Sequence, residues 1–356
     1  MEITRIALYG AGLIGSGWAT HLLCRDFSDV TLYDIAQAPL DRARARIEAD
    51  LAFLVGEGVL TAEQAAERLS RLRFTCDRTA ALADADLIQE NCPENLELKQ
   101  SVMTDIEAVC RPDALIASST SGISATLIGA RMAHPERLVG AHPYHPVYLL
   151  PLVELVKGEK TDPACLDALT AFYRSIRKEP VVLKKECPGY IASRLMSVLF
   201  RESAHLIQSG VATMEDIDTA FTYGPGMRYG LVGINMTLQL AGGEHGLAGT
   251  LFGGIGTSGG NWMESFANFT QWPADYRSFW ETCQAQMDRE MADRDDVHQA
   301  GVAAQPPHLL DHARGVGDRV GVGHGVDGGE AAERCGAAAR LDRLGVLAAG
   351  LAQVGV

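Results

Sequence analysis

The stretch Arg5-Ile6-Ala7-Leu8-Tyr9-Gly10-Ala11-Gly12-Leu13-Ile14-Gly15 decides how the rest of the chain is read. A short apolar strand pattern runs straight into a glycine-rich turn, and an apolar helical stretch from Trp18 to Cys24 follows. A second, β-branched strand, Val30-Thr31-Leu32-Tyr33, then ends in Asp34. Strand, glycine turn, helix, strand and acid form the opening unit of a doubly wound α/β sheet of the Rossmann type. Gly10 permits the tight turn, Gly12 leaves room for a pyrophosphate against the backbone, and Gly15 lets the helix pack closely on the strand. Leu13 and Ile14 start that helix, whose free amides suit an anion. Asp34 is placed to accept hydrogen bonds from an adenosine ribose and would repel a 2′-phosphate, so the expected cofactor is NAD rather than NADP. The competing reading is an ordinary turn and a solvated strand end; FAD sites share the turn, but little else here fits a flavoprotein.

Outward from that unit, Ala38 to Arg73 has a helical pattern broken near Gly56–Gly58, read as a helical hairpin inserted into the sheet domain. Thr61-Ala62-Glu63-Gln64 supplies a capping sequence for its second helix. Further strands are expected at 86–88, 115–117, 138–140, 152–156 and 180–183, giving at least six in all. After Cys187-Pro188-Gly189 the character changes: Leu195, Met196, Leu199, Phe200, Ala204 and Ile207 form an apolar band on a helix over 191–208. Thr213 starts another helix, and 261–294 suggests one or two more. The expected organisation is an NAD-binding domain over 1–186, a mostly α-helical domain over 187–296 for substrate and dimerisation, and an atypical tail over 297–356. Residues 301–356 contain no Ser, Thr, Asn, Lys, Ile, Phe, Tyr, Trp or Met. They lack the large side chains of a core and resemble GC-rich DNA translated in a shifted frame, so disorder or loss of a native helical end near Asp295 is expected.

A chain of 356 residues suffices for two apolar cores. Its formal charge of -14 argues against nucleic acid or an anionic membrane as partner. No basic-then-apolar leader and no apolar run of membrane-spanning length is visible. The eight cysteines lie far apart without a CxxC pair, which suits free thiols in a reducing cytoplasm and no metal site.

The densest polar constellation is Ser118-Ser119-Thr120-Ser121, then His142-Pro143-Tyr144-His145-Pro146, then Glu154. Taking a hydride from a secondary alcohol requires a base for the hydroxyl proton, and histidine titrates near neutrality. A carboxylate on the other ring nitrogen fixes the tautomer and steadies the imidazolium. Glu154 fits, because an acid within an apolar strand is costly without a partner. A structural turn histidine between prolines is the bland alternative.

These pieces, in this order, resemble the 3-hydroxyacyl-CoA dehydrogenase superfamily. The resemblance runs from about residue 4 to about 294. It rests on Gly10–Gly17, Glu90-Asn91-Cys92-Pro93-Glu94-Asn95 with Lys99, Ser118–Ser121, and His142–Pro146 with Glu154. Pro188-Gly189-Tyr190 with Arg194, Gly224–Tyr229 and Ala241–Glu244 continue it. It implies His142 as general base, Glu154 as its orienting partner, Ser121 on the substrate oxygen, and Glu90 and Lys99 near the nicotinamide ribose. It also implies oxidation of a 3-hydroxy acid to a 3-oxo acid, and a homodimer formed through the helical domain. Two departures stand out: Ser193 and His145 occupy positions where the family usually has asparagine.

Acyl-CoA enzymes of this kind carry basic residues on the inserted hairpin. Here Ala38–Arg73 has no lysine, and its arginines are interspersed with acids, which favours a short free substrate over a CoA thioester. For a carnitine-like substrate, Arg228 is a candidate for the carboxylate. Tyr144, Tyr190 and Tyr229 are candidates, with His145, for the remaining substrate contacts, where aromatic faces attract a quaternary ammonium. A gulonate-like acid would instead want hydroxyl partners such as Thr120, Ser121 and Ser193. A non-enzymatic, crystallin-like protein that merely retains the dinucleotide site is a further alternative.

Overall fold

A computed structural model of the chain describes residues 3–250 and 266–267. The expected helices over 261–294, apart from two residues, and the whole tail lie outside the described residues. The chain divides after Met196 into two units.

The first unit is built on an eight-stranded sheet in the order β3-β2-β1-β4-β5-β6-β7-β8. The strands are β1 (Arg5–Tyr9), β2 (Asp29–Tyr33), β3 (Leu72–Thr75), β4 (Leu87–Glu90), β5 (Leu115–Ser118), β6 (Leu138–Pro143), β7 (Leu152–Lys157) and β8 (Glu179–Val182). All neighbours are parallel except β6 and β7. The central strands β1, β2, β4, β5 and β6 are buried on both faces because helices cover both, whereas the edge strand β8 is largely exposed. Along β1, Ile6 and Leu8 enter one core with Trp18, Leu22 and Leu32, while Ala7 and Tyr9 enter the other with Ile88, Met103 and Ile116.

Helix α1 (Leu13–Cys24) joins β1 to β2. The expected hairpin is α2 (Gln37–Gly56) and α3 (Ala62–Ser70), and α3 starts on a capping box between Thr61 and Gln64. The sequence reading carried the hairpin through Arg73. Instead, Leu72–Thr75 pairs with β2 as an edge strand, so the hairpin is the crossover between two parallel strands. Short α4 (Arg78–Leu82), then α5 (Leu96–Glu107), α6 (Ala125–Ile128) and α7 (Pro163–Ser175) complete the layers.

In a doubly wound sheet, ligands gather beyond the carboxyl ends of the strands where the strand order reverses. Here β1 and β4 flank that point. Gly10, Asp34, Asn91, Ser119 and Tyr144 all directly follow, or lie one residue beyond, the ends of β1, β2, β4, β5 and β6.

Helix α8 (Ala192–Gln208) crosses into the second unit. That unit continues with α9 (Met214–Phe221), α10 (Met227–Val232) and α11 (Ile234–Ala241), and Thr213 caps α9 in a second capping box. Between α9 and α10 the backbone kinks at Gly224. Among the described residues no helix is long and apolar enough to cross a membrane.

Candidate active site

The glycine turn is shaped by close contacts that can be located atom by atom. Gly10 adopts φ +99°, and its amide donates to the Tyr33 carbonyl at 2.8 Å. A Cβ on Gly15 would lie 2.0 Å from the Gly10 carbonyl oxygen, so this glycine lets the turn fold back onto the helix start. A Cβ on Gly12 would meet nothing within 4 Å. The space over Gly12 is therefore open to a ligand. The start of α1 has no side-chain cap and no acid in its first turn, which leaves its amides to an anion. Asp34 Oδ2 accepts the Ala11 amide at 2.8 Å, tying the acid to the same turn. Leu13 is exposed at the mouth, whereas Ile14 is half-buried against the core. These residues fit a dinucleotide.

Beyond β4 and β5 lies a shelf of carboxylates and hydroxyls. Glu90 is 0% exposed and Lys99 1%, and the ammonium donates to both carboxylate oxygens at 2.8 and 3.0 Å. Glu90 also accepts the Cys92 amide and the Ser118 hydroxyl. Both side chains lie beneath the surface, and Lys99 also donates to the Cys92 carbonyl at 3.1 Å. The half-exposed acid of that stretch is Glu94. Its Oε1 accepts from the Thr120 hydroxyl (2.7 Å) and from the amides of Ser121, Gly122 and Ile123 (3.0, 2.8 and 3.2 Å). These bonds hold the loop that presents the exposed Ser121. Burial pushes the Glu94 carboxyl pKa up, but the hydrogen bonds and Lys99 overcome it and the net shift is downward. Sequence reasoning had quoted Glu94 only as part of a motif. Its signal was an acid just past a parallel strand, as for Asp34.

The antiparallel register of β6 and β7 sets His142 directly opposite Glu154. Nδ1 of the imidazole and Oε2 of the carboxylate are 3.0 Å apart, and both side chains are buried. The other oxygen, Oε1, accepts the amides of Ile191 and Ala192 at 2.8 and 3.0 Å, where α8 begins. Burial, the largest influence, raises the Glu154 pKa; the bonds from His142, Ala192 and Ile191 outweigh it and hold it below the ordinary value. With Nδ1 engaged as a donor, Nε2 is the nitrogen left to exchange a proton.

Tyr190 stacks on His142 with ring centres 5.3 Å apart and planes 14° from parallel. It is only 2% exposed, and a Cβ on Gly140 would lie 2.8 Å from its hydroxyl. Tyr190 is thus a wall behind the imidazole. Tyr144 meets His142 edge-on at 5.9 Å and its hydroxyl reaches Met196 Sδ at 3.5 Å. Burial and the Glu154 charge raise the Tyr144 pKa, while a hydrogen bond with Ser193 pulls the other way, so Ser193 faces the same corner. His145 is half-buried, and burial lowers its pKa. Arg228 and Tyr229 belong to the second unit: Arg228 is exposed, and Tyr229 packs against Phe221 at 6.3 Å.

Residues 5–187 match the family model of the 3-hydroxyacyl-CoA dehydrogenase NAD-binding domain, and residues 189–274 match the model of that family's C-terminal domain. An L-carnitine dehydrogenase of Bacillus cereus is 43% identical over 246 residues, covering 69% of this chain and 74% of the relative. One from Pseudomonas aeruginosa is 39% identical over 288 residues, covering 81% and 84%. Among solved structures, an NAD⁺-dependent 5-formyl-3-hydroxy-2-methylpyridine 4-carboxylic acid 5-dehydrogenase aligns with a TM-score of 0.67 at 32% identity, covering 77% of this chain and 84% of that one. FadB2 of M. tuberculosis aligns at 0.60 and 32%, covering 64% and 79%.

Proposed function

The chain belongs to the 3-hydroxyacyl-CoA dehydrogenase family, and from that premise we propose that it oxidises the β-hydroxyl of L-carnitine to the 3-oxo acid. It is an NAD-dependent dehydrogenase of a small hydroxy acid; the identity of that acid and the roles below are the proposal. The observation that carries the chemistry is the buried His142–Glu154 pair at 3.0 Å. Bound NAD⁺ supplies the hydride acceptor. Gly10, Gly12 and Gly15 would admit its pyrophosphate, the amides starting α1 would meet the charge, and the Asp34 oxygen not held by Ala11 would face a ribose.

His142 Nε2 takes the hydroxyl proton, and Glu154 stabilises the imidazolium through Nδ1. Glu154 is held on its far side by two amides, so the imidazole is oriented before substrate arrives. Ser121 and Ser193 are proposed to bond the substrate oxygens, with Tyr144 and His145 as neighbouring walls.

A short free substrate is favoured by the fate of the hairpin arginines. On the hairpin, Arg44 lies over the Phe74 ring, Arg46 bonds Ser16 and Arg68 bonds the Cys24 carbonyl, while Arg42 is exposed; just beyond it Arg71 pairs with Asp26, and Arg73 of β3 pairs with Asp29. Side chains so engaged are poorly placed to receive CoA phosphates. The second unit, whose helix α8 exposes Val198 and Leu199, is proposed to form a homodimer. Rates of NAD⁺ reduction on L-carnitine, L-gulonate and L-3-hydroxybutyryl-CoA test the substrate. The proposal expects L-carnitine to give the highest kcat/KM by at least about tenfold; a CoA thioester in first place overturns it.

A further inference from the structure

The loop that carries Tyr144 and His145 runs from the end of β6 to β7, and its far side is fastened by one buried lysine. Lys178 is 2% exposed, yet none of its hydrogen bonds goes to a carboxylate. Its Nζ donates to the Val147 carbonyl and, at 2.9 Å, to the Leu150 carbonyl. The same nitrogen stands 5.1 Å from the ring centre of Trp18 on α1, the helix that starts at the glycine turn. Val147 itself packs on Gly17 of α1, where an added Cβ would come within 3.1 Å of it.

The end of α7 explains how the lysine gets there. Arg177 takes a left-handed conformation, φ +60°. Its amide donates to the Arg174 carbonyl and the Lys178 amide to the Tyr173 carbonyl, each at 2.9 Å. This is a Schellman closure, which reverses the chain and turns Lys178 inward. The Glu179 amide then donates to the Pro151 carbonyl, 2.8 Å away, at the other end of the same loop.

Burying an ammonium is costly unless its donors are matched. Burial and the nearby Arg25 push the Lys178 pKa down to about 7. His21, on the same face of α1, is held neutral by its own burial and by Lys178 and Arg25. The neutral amine still has two N–H groups, enough for the two carbonyls. The tether thus survives in either protonation state.

We propose that Lys178 is a positioning residue for the dehydrogenase reaction: by binding the Val147 and Leu150 carbonyls it fixes the β6–β7 loop against the cofactor helix and so sets Tyr144 and His145 beside His142. It touches neither cofactor nor substrate. The inference rests on the active-site reading above, so its test is given one arm that does not need turnover.

The test compares wild type with Lys178→Met, which keeps the stem and removes the donors. Three quantities are read: amide hydrogen exchange, NADH affinity by nicotinamide fluorescence, and kcat and KM for L-carnitine. Expected is at least about tenfold faster exchange confined to 144–151 and NADH affinity within about threefold. The expected fall in kcat is about tenfold to a hundredfold, with a smaller change in KM, as for a misplaced group near the chemistry. Unchanged exchange in that loop, or kcat within twofold of wild type, overturns the proposal. If Lys178→Met does not fold, Lys178→Leu, which also lacks donors, is read by the same criteria. Unfolding of both shows a general core role and also overturns it. If wild type itself does not oxidise L-carnitine, the substrate reading fails while the exchange arm still decides this one.

Discussion

His142 and Glu154 divide their work between two ring nitrogens and two carboxylate oxygens, and each atom makes a separable prediction. Oε2 holds Nδ1, while Oε1 is held by the amides of Ile191 and Ala192. Glu154→Gln keeps the shape but replaces an ion by a dipole, so it no longer steadies the charged imidazole. A loss of about a hundredfold in kcat is expected, with NADH affinity nearly unchanged, since a general base without its charge-stabilising partner forfeits much of its usual contribution. Single-turnover NAD⁺ reduction with a parallel NADH titration checks it. The identity of the acid was legible in the sequence because an acid inside Leu152-Val153-Glu154-Leu155-Val156 needs a partner. The stacking of Tyr190 beneath the imidazole was not legible. A tyrosine beside a glycine turn carries the same letters whether its ring lines a cleft or backs a catalytic group, and only the close approach of Gly140 decides which. Likewise the buried pairing of Glu90 with Lys99 was not legible, because it joins the end of a strand to a helix nine residues on.

At the scale of elements, the first turn and helix separate a glycine needed for folding from one needed for binding. Gly15→Ala would drive a Cβ to 2.0 Å from the Gly10 carbonyl, so backbone must move. A stability loss of about 2–3 kcal/mol is expected by urea denaturation, the usual size of an overpacking defect. Gly12→Ala meets nothing within 4 Å, so the melting temperature should stay within about 1 °C while NADH affinity falls at least about tenfold. Equal effects of the two changes on stability would contradict this division. A further element-level expectation concerns Arg177, whose left-handed backbone costs about 1 kcal/mol in a residue with a Cβ. Arg177→Gly should recover about that amount in urea denaturation, less the entropy glycine adds to the unfolded chain. The opening β-α-β unit and the capped α3 were readable from periodicity and punctuation. Strand β3 was not, because Leu72-Arg73-Phe74-Thr75 follows α3 almost without a break and is too short to show alternation. The antiparallel turn of β7, which sets His142 opposite Glu154, also leaves no mark in a local pattern; it depends on which neighbour the strand finds.

For the molecule as a whole, acid should act through a few buried carboxylates rather than through the net charge. Asp86 accepts the amides of Thr4 and Arg5 and pairs with Arg5 and Arg111, joining the start of β1 to the start of β4. Burial raises its pKa, but these bonds prevail and hold it well below the ordinary carboxylate range. Glu154 is shifted the same way from its ordinary 4.5. A depressed carboxylate contributes stability that is complete above its unfolded pKa and is lost as pH falls toward the folded value. Stability should therefore drop below about pH 4.5, and Asp86→Asn should flatten that slope while lowering stability near neutrality by about 2 kcal/mol. Chemical denaturation at a series of pH values reads both effects. The account as a whole stands on the imidazole of His142 as proton acceptor in an otherwise intact dinucleotide site. Its most direct test is steady-state oxidation of L-carnitine by His142→Asn, with NADH binding measured on the same preparation. The predicted result is a fall in kcat of at least about a hundredfold with NADH affinity within about threefold; a loss smaller than about tenfold, with binding intact, contradicts it.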